Sequence, residues 1–262
     1  MSEPSESRPP ALVVRDLRVA FRQGARRLDV VHGVDLTVPS GGVTALVGES
    51  GSGKSTIAKA IVGMVDASGG EIGVEGTARD AWSAGRWRRS VQLISQDPYA
   101  SLNPRRTIGQ SLAEALDPRR PSVRRHRDRI EEWLERVDLD PRSASRYPHE
   151  FSGGQRQRVA IARALAVEPR IIIADEITSA LDVSVQARIL DLLNHLRRDM
   201  GLTMLFITHN LAVVEQFCDD VVVLLRGDVV ESGSVESVFA APTHPYTRTL
   251  LDSVPGRRAA AR

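Results

Sequence analysis

Apolar residues in this chain fall into two kinds of run. Val43 to Val47 (VTALV), Val91 to Ile94 (VQLI), Ile171 to Ala174 (IIIA) and Thr203 to Ile207 (TMLFI) are short, β-rich and free of polar alternation. Strands covered on both faces read this way, because neither face is left for water. These runs predict a buried parallel sheet. Between them apolar positions recur at helical spacing: Ile57, Ile61 and Met64 after Ser55, and Val185, Ile189, Leu192, Leu193 and Leu196 within Ser184 to Arg198. Strand, helix, strand alternation predicts an α/β layered fold with a mostly parallel sheet flanked by helices. Near the ends, LVVRDLRVAF and DVVVLLRGDVVESG alternate more, and the second contains a Gly-Asp turn. Both predict antiparallel strands. From about Asp97 to Ala166 the chain is polar, Arg-rich and punctuated by proline, with helical pieces at Glu131 to Val137 and Gln155 to Ala166. The predicted organisation is a flexible tail over 1–10, a β subdomain with the first part of an α/β core over 11–96, and a helical insertion over 97–166. The second part of the core follows over 167–236, and a C-terminal extension over 237–262.

Composition narrows this picture. With 262 residues, 42% of them hydrophobic, the chain is long enough to bury a substantial core. Basic and acidic residues nearly balance, 35 against 33. Nucleic-acid binding usually needs basic residues gathered on one face, and no such partner is expected. The densest basic cluster, Arg119 to Arg129, reads as a solvated loop and helix face. A single cysteine, Cys218, excludes an intramolecular disulfide and suits a reducing cytoplasm. No apolar run approaches the roughly 20 residues that span a bilayer, and the polar N-terminus lacks a signal-peptide core.

Only two of the 35 basic residues are lysines, Lys54 and Lys59, and the first lies in the stretch GESGSGKST. The run Gly48, Glu49, Ser50, Gly51, Ser52, Gly53, Lys54, Ser55, Thr56 stands between a predicted buried strand and an amphipathic helix. That is the context of a phosphate-binding loop. Glycines let successive N–H groups face one anion, and the helix N-terminus adds its dipole. Lys54 supplies a compact charge for the β- and γ-phosphates of a nucleotide, where a planar guanidinium would not fit, and the Ser55 hydroxyl would ligate magnesium. A second buried run ends in IIIADE: Asp175 is placed to hold magnesium, directly or through water, and Glu176 to orient and deprotonate an attacking water. Kinases, GTPases, helicases and transporters all remain open at this point.

The stretch FSGGQRQRVAIARALA, Phe151 to Ala166, narrows the choice. Ser152 is a good N-cap, Gly153 and Gly154 leave backbone N–H groups bare, and the following apolar positions define a helix. A chain needs two anion-binding helix starts for one phosphate chain only if two chains meet head to tail. Here the residues resemble the signature motif of ABC ATPases (Phe151, Ser152, Gly153, Gly154, Gln155). The resemblance implies further roles in chain order: Gln96 as the Q-loop glutamine contacting magnesium or the attacking water, and Ser179, Ala180, Leu181 and Asp182 as the D-loop at the dimer interface. It likewise implies His209 as the switch histidine at the γ-phosphate, and Phe21 as the aromatic stacking on adenine.

The strings QDPYASLNPR, TSALDVSVQARIL and VFAAPTHPYTRTLL, with the signature, resemble the ATP-binding subunits of oligopeptide, dipeptide and nickel importers, from about Leu12 to Pro255. The resemblance implies ATP and Mg2+ as cofactors and a second ATPase subunit, the same or homologous, as partner. It also implies transmembrane permease subunits, indirectly a solute-binding protein, and a peripheral place on the cytoplasmic face of the membrane. Peptide is the first substrate class. Nickel or another small solute is the alternative, and a soluble non-transport ABC ATPase a more distant one. Three positions depart from the usual pattern: Ser95 for Phe, Ile177 for Pro and Phe151 for Leu.

Overall fold

A computed structural model describes residues 10–24, 26–179 and 181–253. The predicted tail therefore lies outside the described residues except for Pro10, as do Ala180 of the D-loop and Pro255. The described residues open with β1 (Pro10–Gln23), β2 (Arg26–Pro39) and β3 (Val43–Val47), then α1 (Lys54–Val62), β4 (Gly69–Val74) and β5 (Thr77–Ala78). There follow α2 (Ala84–Ser90), β6 (Val91–Ile94), α3 (Pro98–Ser101), α4 (Ile108–Leu116), α5 (Arg127–Arg136) and α6 (Gly153–Leu165). The remainder comprises β7 (Ile171–Asp175), α7 (Val183–Met200), β8 (Thr203–Thr208), α8 (Leu211–Phe217), β9 (Asp220–Leu225), β10 (Asp228–Ser234), α9 (Val235–Ala240) and α10 (Pro245–Asp252). These elements gather into two compact units: Arg89–Gly201, and the chain up to Arg88 together with the chain from Leu202.

In the unit that joins the two ends of the chain, β3 lies between β8 and β9 and runs parallel to both, with Ala45 opposite Phe206 on one side and Val221 on the other. Every residue of β3 and β8 is buried, as their unbroken apolar runs require. The β10 strand pairs antiparallel with β9 across the two-residue turn Arg226-Gly227. A separate antiparallel sheet has the order β2-β1-β4-β5. Ala45, Val47, Val221 and Val223 share a core with Leu211 and Val214 of α8, Val235, Val238 and Phe239 of α9, and Leu251 of α10. Helices α9 and α10 are thus built into the core that carries β3.

The α1 helix is shorter than its pattern implies. Ile57 and Ile61 are fully buried, but Gly63 caps the helix, and Met64 lies beyond it, 69% exposed. A left-handed glycine ends the helix where spacing alone would extend it.

In the other unit β6 and β7 are parallel, with Val91 opposite Ile171 and Ile94 opposite Ala174. The β7 strand is wholly buried, whereas Gln92 and Leu93 of β6 are only partly covered, so the double covering expected of that run is incomplete. Helices α4, α5 and α6 pack through Ile108, Leu112, Ile130, Leu134, Val159 and Ile161, all at most 1% exposed. The α5 helix begins at Arg127, four residues before its predicted start. Arg119 to Arg129 is mostly exposed loop and first helical turn, with Arg127 paired to Glu131 and Arg129 to Glu168.

One carboxylate fixes the approach to α10. Glu231 on β10 accepts hydrogen bonds from the Thr243 N–H at 2.7 Å, the Thr243 hydroxyl at 3.0 Å and the His244 N–H at 3.0 Å. Burial alone would raise its pKa, but these donors, together with the Thr247 side chain, hold it down to about 2. A carboxylate with a depressed folded-state pKa stabilises the fold above its ordinary titration range and loses that contribution as pH falls toward the folded value. The melting temperature of Glu231→Gln should therefore lie below that of the parent at pH 6, and the gap should shrink as pH drops from 5 toward 3. A gap independent of pH would contradict the clamp.

Candidate functional site

The phosphate loop is packed rather than free. At Gly48 a Cβ would lie 2.2 Å from the Leu224 carbonyl oxygen of β9, so only glycine admits that approach. Gly53, at φ 106°, is the N-cap of α1, a conformation L side chains rarely take. No side chain caps the helix there, so its first turn offers main-chain N–H groups at the loop. The Gly227 N–H donates to the Ser52 carbonyl at 2.9 Å, tying the loop to the β9–β10 turn. Lys54, 4% exposed, donates from Nζ to the Gly48 and Glu49 carbonyls at 2.8 and 2.7 Å. The ammonium is held inside the curl it would share with phosphate. Ser52 Oγ is buried with no hydrogen-bond partner, a polar atom facing an incomplete environment. Glu49, Ser50, Gly51 and Ser55 are exposed, and Thr56 is partly so. A glycine-lined curl, a buried ammonium and an orphaned hydroxyl fit a polyphosphate.

His209 belongs to the same unit. It is exposed in the bend between β8 and α8. Asn210 braces that bend: its N–H donates to the Thr208 hydroxyl at 3.0 Å, and its side chain accepts from the Ala212 and Val213 N–H groups. Phe21, 40% exposed, stands near the end of β1 opposite Leu28, 54% exposed, so the hairpin presents an apolar pair to solvent.

The other unit carries the acidic residues. Asp175 ends β7 and is 7% exposed, and Glu176 follows at φ 49°, partly buried. Such a turn in a non-glycine residue is uncommon and marks a locally imposed geometry. The Ser179 hydroxyl donates to the Glu176 carbonyl at 2.9 Å, and Gln96 Nε2 donates to the Ser179 hydroxyl at 3.1 Å. The predicted glutamine and the predicted base are therefore joined through a D-loop serine. Asp182 caps α7; its carboxyl lies below the usual range because the Ser184 hydroxyl and Val185 N–H donate to it.

The signature stretch begins α6 with a capping box: Gln155 N–H donates to Ser152 Oγ at 3.3 Å, and Ser152 N–H to Gln155 Oε1 at 2.9 Å. Ser152 is exposed and Gly153 and Gly154 partly so, whereas Phe151 is 4% exposed beneath the Arg146 guanidinium. A Cβ on Gly154 would come within 2.6 Å of Val185, so the motif is backed by α7. Of the departures, Ile177 is 2% exposed and Ser95 donates weakly to the Asp97 carbonyl at 3.4 Å. No group of three or more potential ligands drawn from His, Cys, Asp and Glu occurs among the described residues.

Residues 31–179 match the family profile described as ABC transporter, over more than half the chain. The chain belongs to the ABC transporter family. Residues 230–262 match a second profile, the oligopeptide/dipeptide transporter C-terminal region. This ABC ATPase is 47% identical over 250 residues to a putative peptide import ATP-binding protein of Brucella ovis, covering 94% of this chain and 79% of that one. It is 46% identical over 264 residues to the oligopeptide transport ATP-binding protein OppF of Salmonella typhimurium, covering 95% and 79%. Among solved structures it resembles a dimeric ATP-binding cassette in a post-hydrolysis state bound to ADP and Pi, with TM-score 0.76, 29% identity, and coverage of 86% and 98%. The fold is that of the ABC ATPases, and the chain is an ATP-binding and ATP-hydrolysing transporter subunit.

Several contacts of this ABC ATPase were beyond sequence reasoning. The support of the phosphate loop by Leu224 and Gly227, and the bridging position of Ser179, join segments far apart in the chain. Asn210, by contrast, carried an N-cap signal before an apolar run. Because the Gly48 contact is to backbone, Gly48→Ala should destabilise the fold by about 1–3 kcal/mol in denaturant titration. It should also weaken ATP binding at least ~10-fold in calorimetry. Parental affinity would show that the close packing does not shape the loop.

Proposed function

We propose that this chain powers a peptide importer from the cytoplasmic face of the membrane, as one of two ATPase subunits bound to transmembrane permease subunits and served by a solute-binding protein. The match of residues 230–262 to the oligopeptide/dipeptide transporter C-terminal region carries this reading, because that segment lies outside the residues matched to the general ABC transporter profile. Among the described residues no helix is long and apolar enough to cross a membrane, which accords with a peripheral subunit.

Lys54 and the N–H groups at the start of α1 bind the phosphates of ATP. Phe21 stacks on the adenine. Ser55, Asp175 and Gln96 would hold Mg2+, which supplies charge neutralisation at the phosphates when bound. Glu176 takes a proton from the attacking water, and His209 supports that water at the γ-phosphate. Ser152 and Gly154 of a second subunit complete the phosphate shell. The capping bond at Ser152 uses the hydroxyl as an acceptor, so its O–H remains available to donate to an anion. The D-loop, Ser179 to Asp182, contributes to the dimer interface. ATP thereby favours the closed dimer, and hydrolysis removes that preference.

Two substitutions test these roles. Lys54→Ala removes a buried charged donor and should weaken ATP binding by about 10- to 100-fold in calorimetry; unchanged affinity would refute the phosphate-loop assignment. Glu176→Gln should lower turnover by about 10²- to 10⁴-fold and accumulate an ATP-bound dimer, seen by light scattering at twice the 28.6 kDa monomer mass. Hydrolysis at the parental rate would remove Glu176 from the role of base.

A further inference from the structure

The HPYTR string near the C-terminus has no part in the chemistry above, yet its tyrosine reaches the phosphate loop. The Glu49 N–H donates to the Tyr246 hydroxyl at 2.9 Å, across 197 residues of sequence. The carbonyl of that same peptide group, on Gly48, accepts from Lys54 Nζ at 2.8 Å. One peptide unit at the mouth of the loop is thus held at both ends, by the lysine and by the tyrosine.

The two holds are not equivalent. When Lys54 engages phosphate, its bonds to the Gly48 and Glu49 carbonyls compete with the anion, whereas Tyr246 keeps its grip on the N–H. A peptide free to rotate at this point would re-aim the N–H groups that follow it. The tyrosine is itself firmly seated. It lies in the first turn of α10, its own N–H donates to His244 Nδ1 at 3.2 Å, and its ring packs on the core shared by β3, β9, α8 and α9. The segment before it is clamped to β10 through Glu231. Arg248 donates back to the carbonyls of Pro242 and Thr243 at 3.0 and 2.9 Å. Burial pushes the phenol above its ordinary value, so it stays protonated through the neutral range.

We propose that Tyr246 is a positioning residue for the phosphate loop, its hydroxyl fixing the Gly48–Glu49 peptide and so coupling the C-terminal segment Ala241 to Asp252 to nucleotide affinity. The inference rests on the reading of this loop as the ATP site. Tyr246 acts through Glu49 and does not itself touch the nucleotide.

Tyr246→Phe deletes one hydroxyl and keeps the ring. It should raise the KM for MgATP and the Kd for ATP by about 3- to 10-fold, the usual range for a single neutral hydrogen bond, with kcat at saturation within about two-fold of the parent. The ratio of its KM to the parent's should be constant from pH 6 to 8. Glu231→Gln should weaken binding in the parent background but add nothing in the Tyr246→Phe background, because the clamp works through the tyrosine. Leu250→Ala loosens the packing of α10 without removing the hydrogen bond and should leave the Kd within about two-fold. Parental affinity in Tyr246→Phe, multiplying losses in the double variant, or an equal loss in Leu250→Ala would each overturn the proposal. A parent chain that fails to bind ATP would instead overturn the reading of the loop, and with it this inference.

Discussion

The approach of the β9 backbone to the phosphate loop is the constraint on which the rest depends. The Leu224 carbonyl occupies the space a side chain on Gly48 would need, the Val30 carbonyl of β2 lies 3.2 Å from where one would stand on Gly53, and the Gly227 N–H holds Ser52. A loop built largely of glycine and serine has high conformational entropy on its own. It is shaped into a defined curl because β9, β2 and the β9–β10 turn close around its backbone, and because β9 shares a core with β3, α8, α9 and α10. On the proposed reading of this loop, affinity for phosphate would rest on packing as much as on Lys54.

A comparable logic governs the acidic residues. Asp175 and Glu176 stand at the end of a strand with no exposed residue, so the direction in which they leave the sheet is set by burial of Ile171 to Ala174. Glu176 is held in a left-handed turn, and the bonds from Gln96 to Ser179 and from Ser179 to the Glu176 carbonyl link the predicted Q-loop glutamine to the backbone of the predicted base. A change at Gln96 is thereby able to reach Glu176 through two hydrogen bonds. The signature helix is pinned in the same unit by its capping box and by the close contact of Gly154 with Val185.

Much of this was legible in the sequence because the informative features are local. Buried strands announce themselves by unbroken apolar runs, and β3, β7 and β8 lie where those runs stand, the last two each one residue longer. Ser152 and the glycines after it marked the start of α6 to within two residues of the predicted helical piece. Local reasoning failed where a terminator outweighed periodicity, as at Gly63, or where coverage depends on neighbours distant in the chain, as on β6. It could not reach the Tyr246 contact at all. The HPYTR string flagged that segment by resemblance, but only the fold shows that its tyrosine reaches Glu49.

The central claim, that this ATPase serves a membrane importer, is tested most directly by recovering its partners. The Glu176→Gln variant loaded with ATP would be captured from detergent-solubilised membranes of the native host, and the bound proteins identified by mass spectrometry. The account predicts multi-spanning permease subunits, together with a solute-binding protein of the peptide-binding kind. Recovery of only ribosomal or DNA-associated proteins would contradict the importer assignment while leaving the ATP chemistry intact.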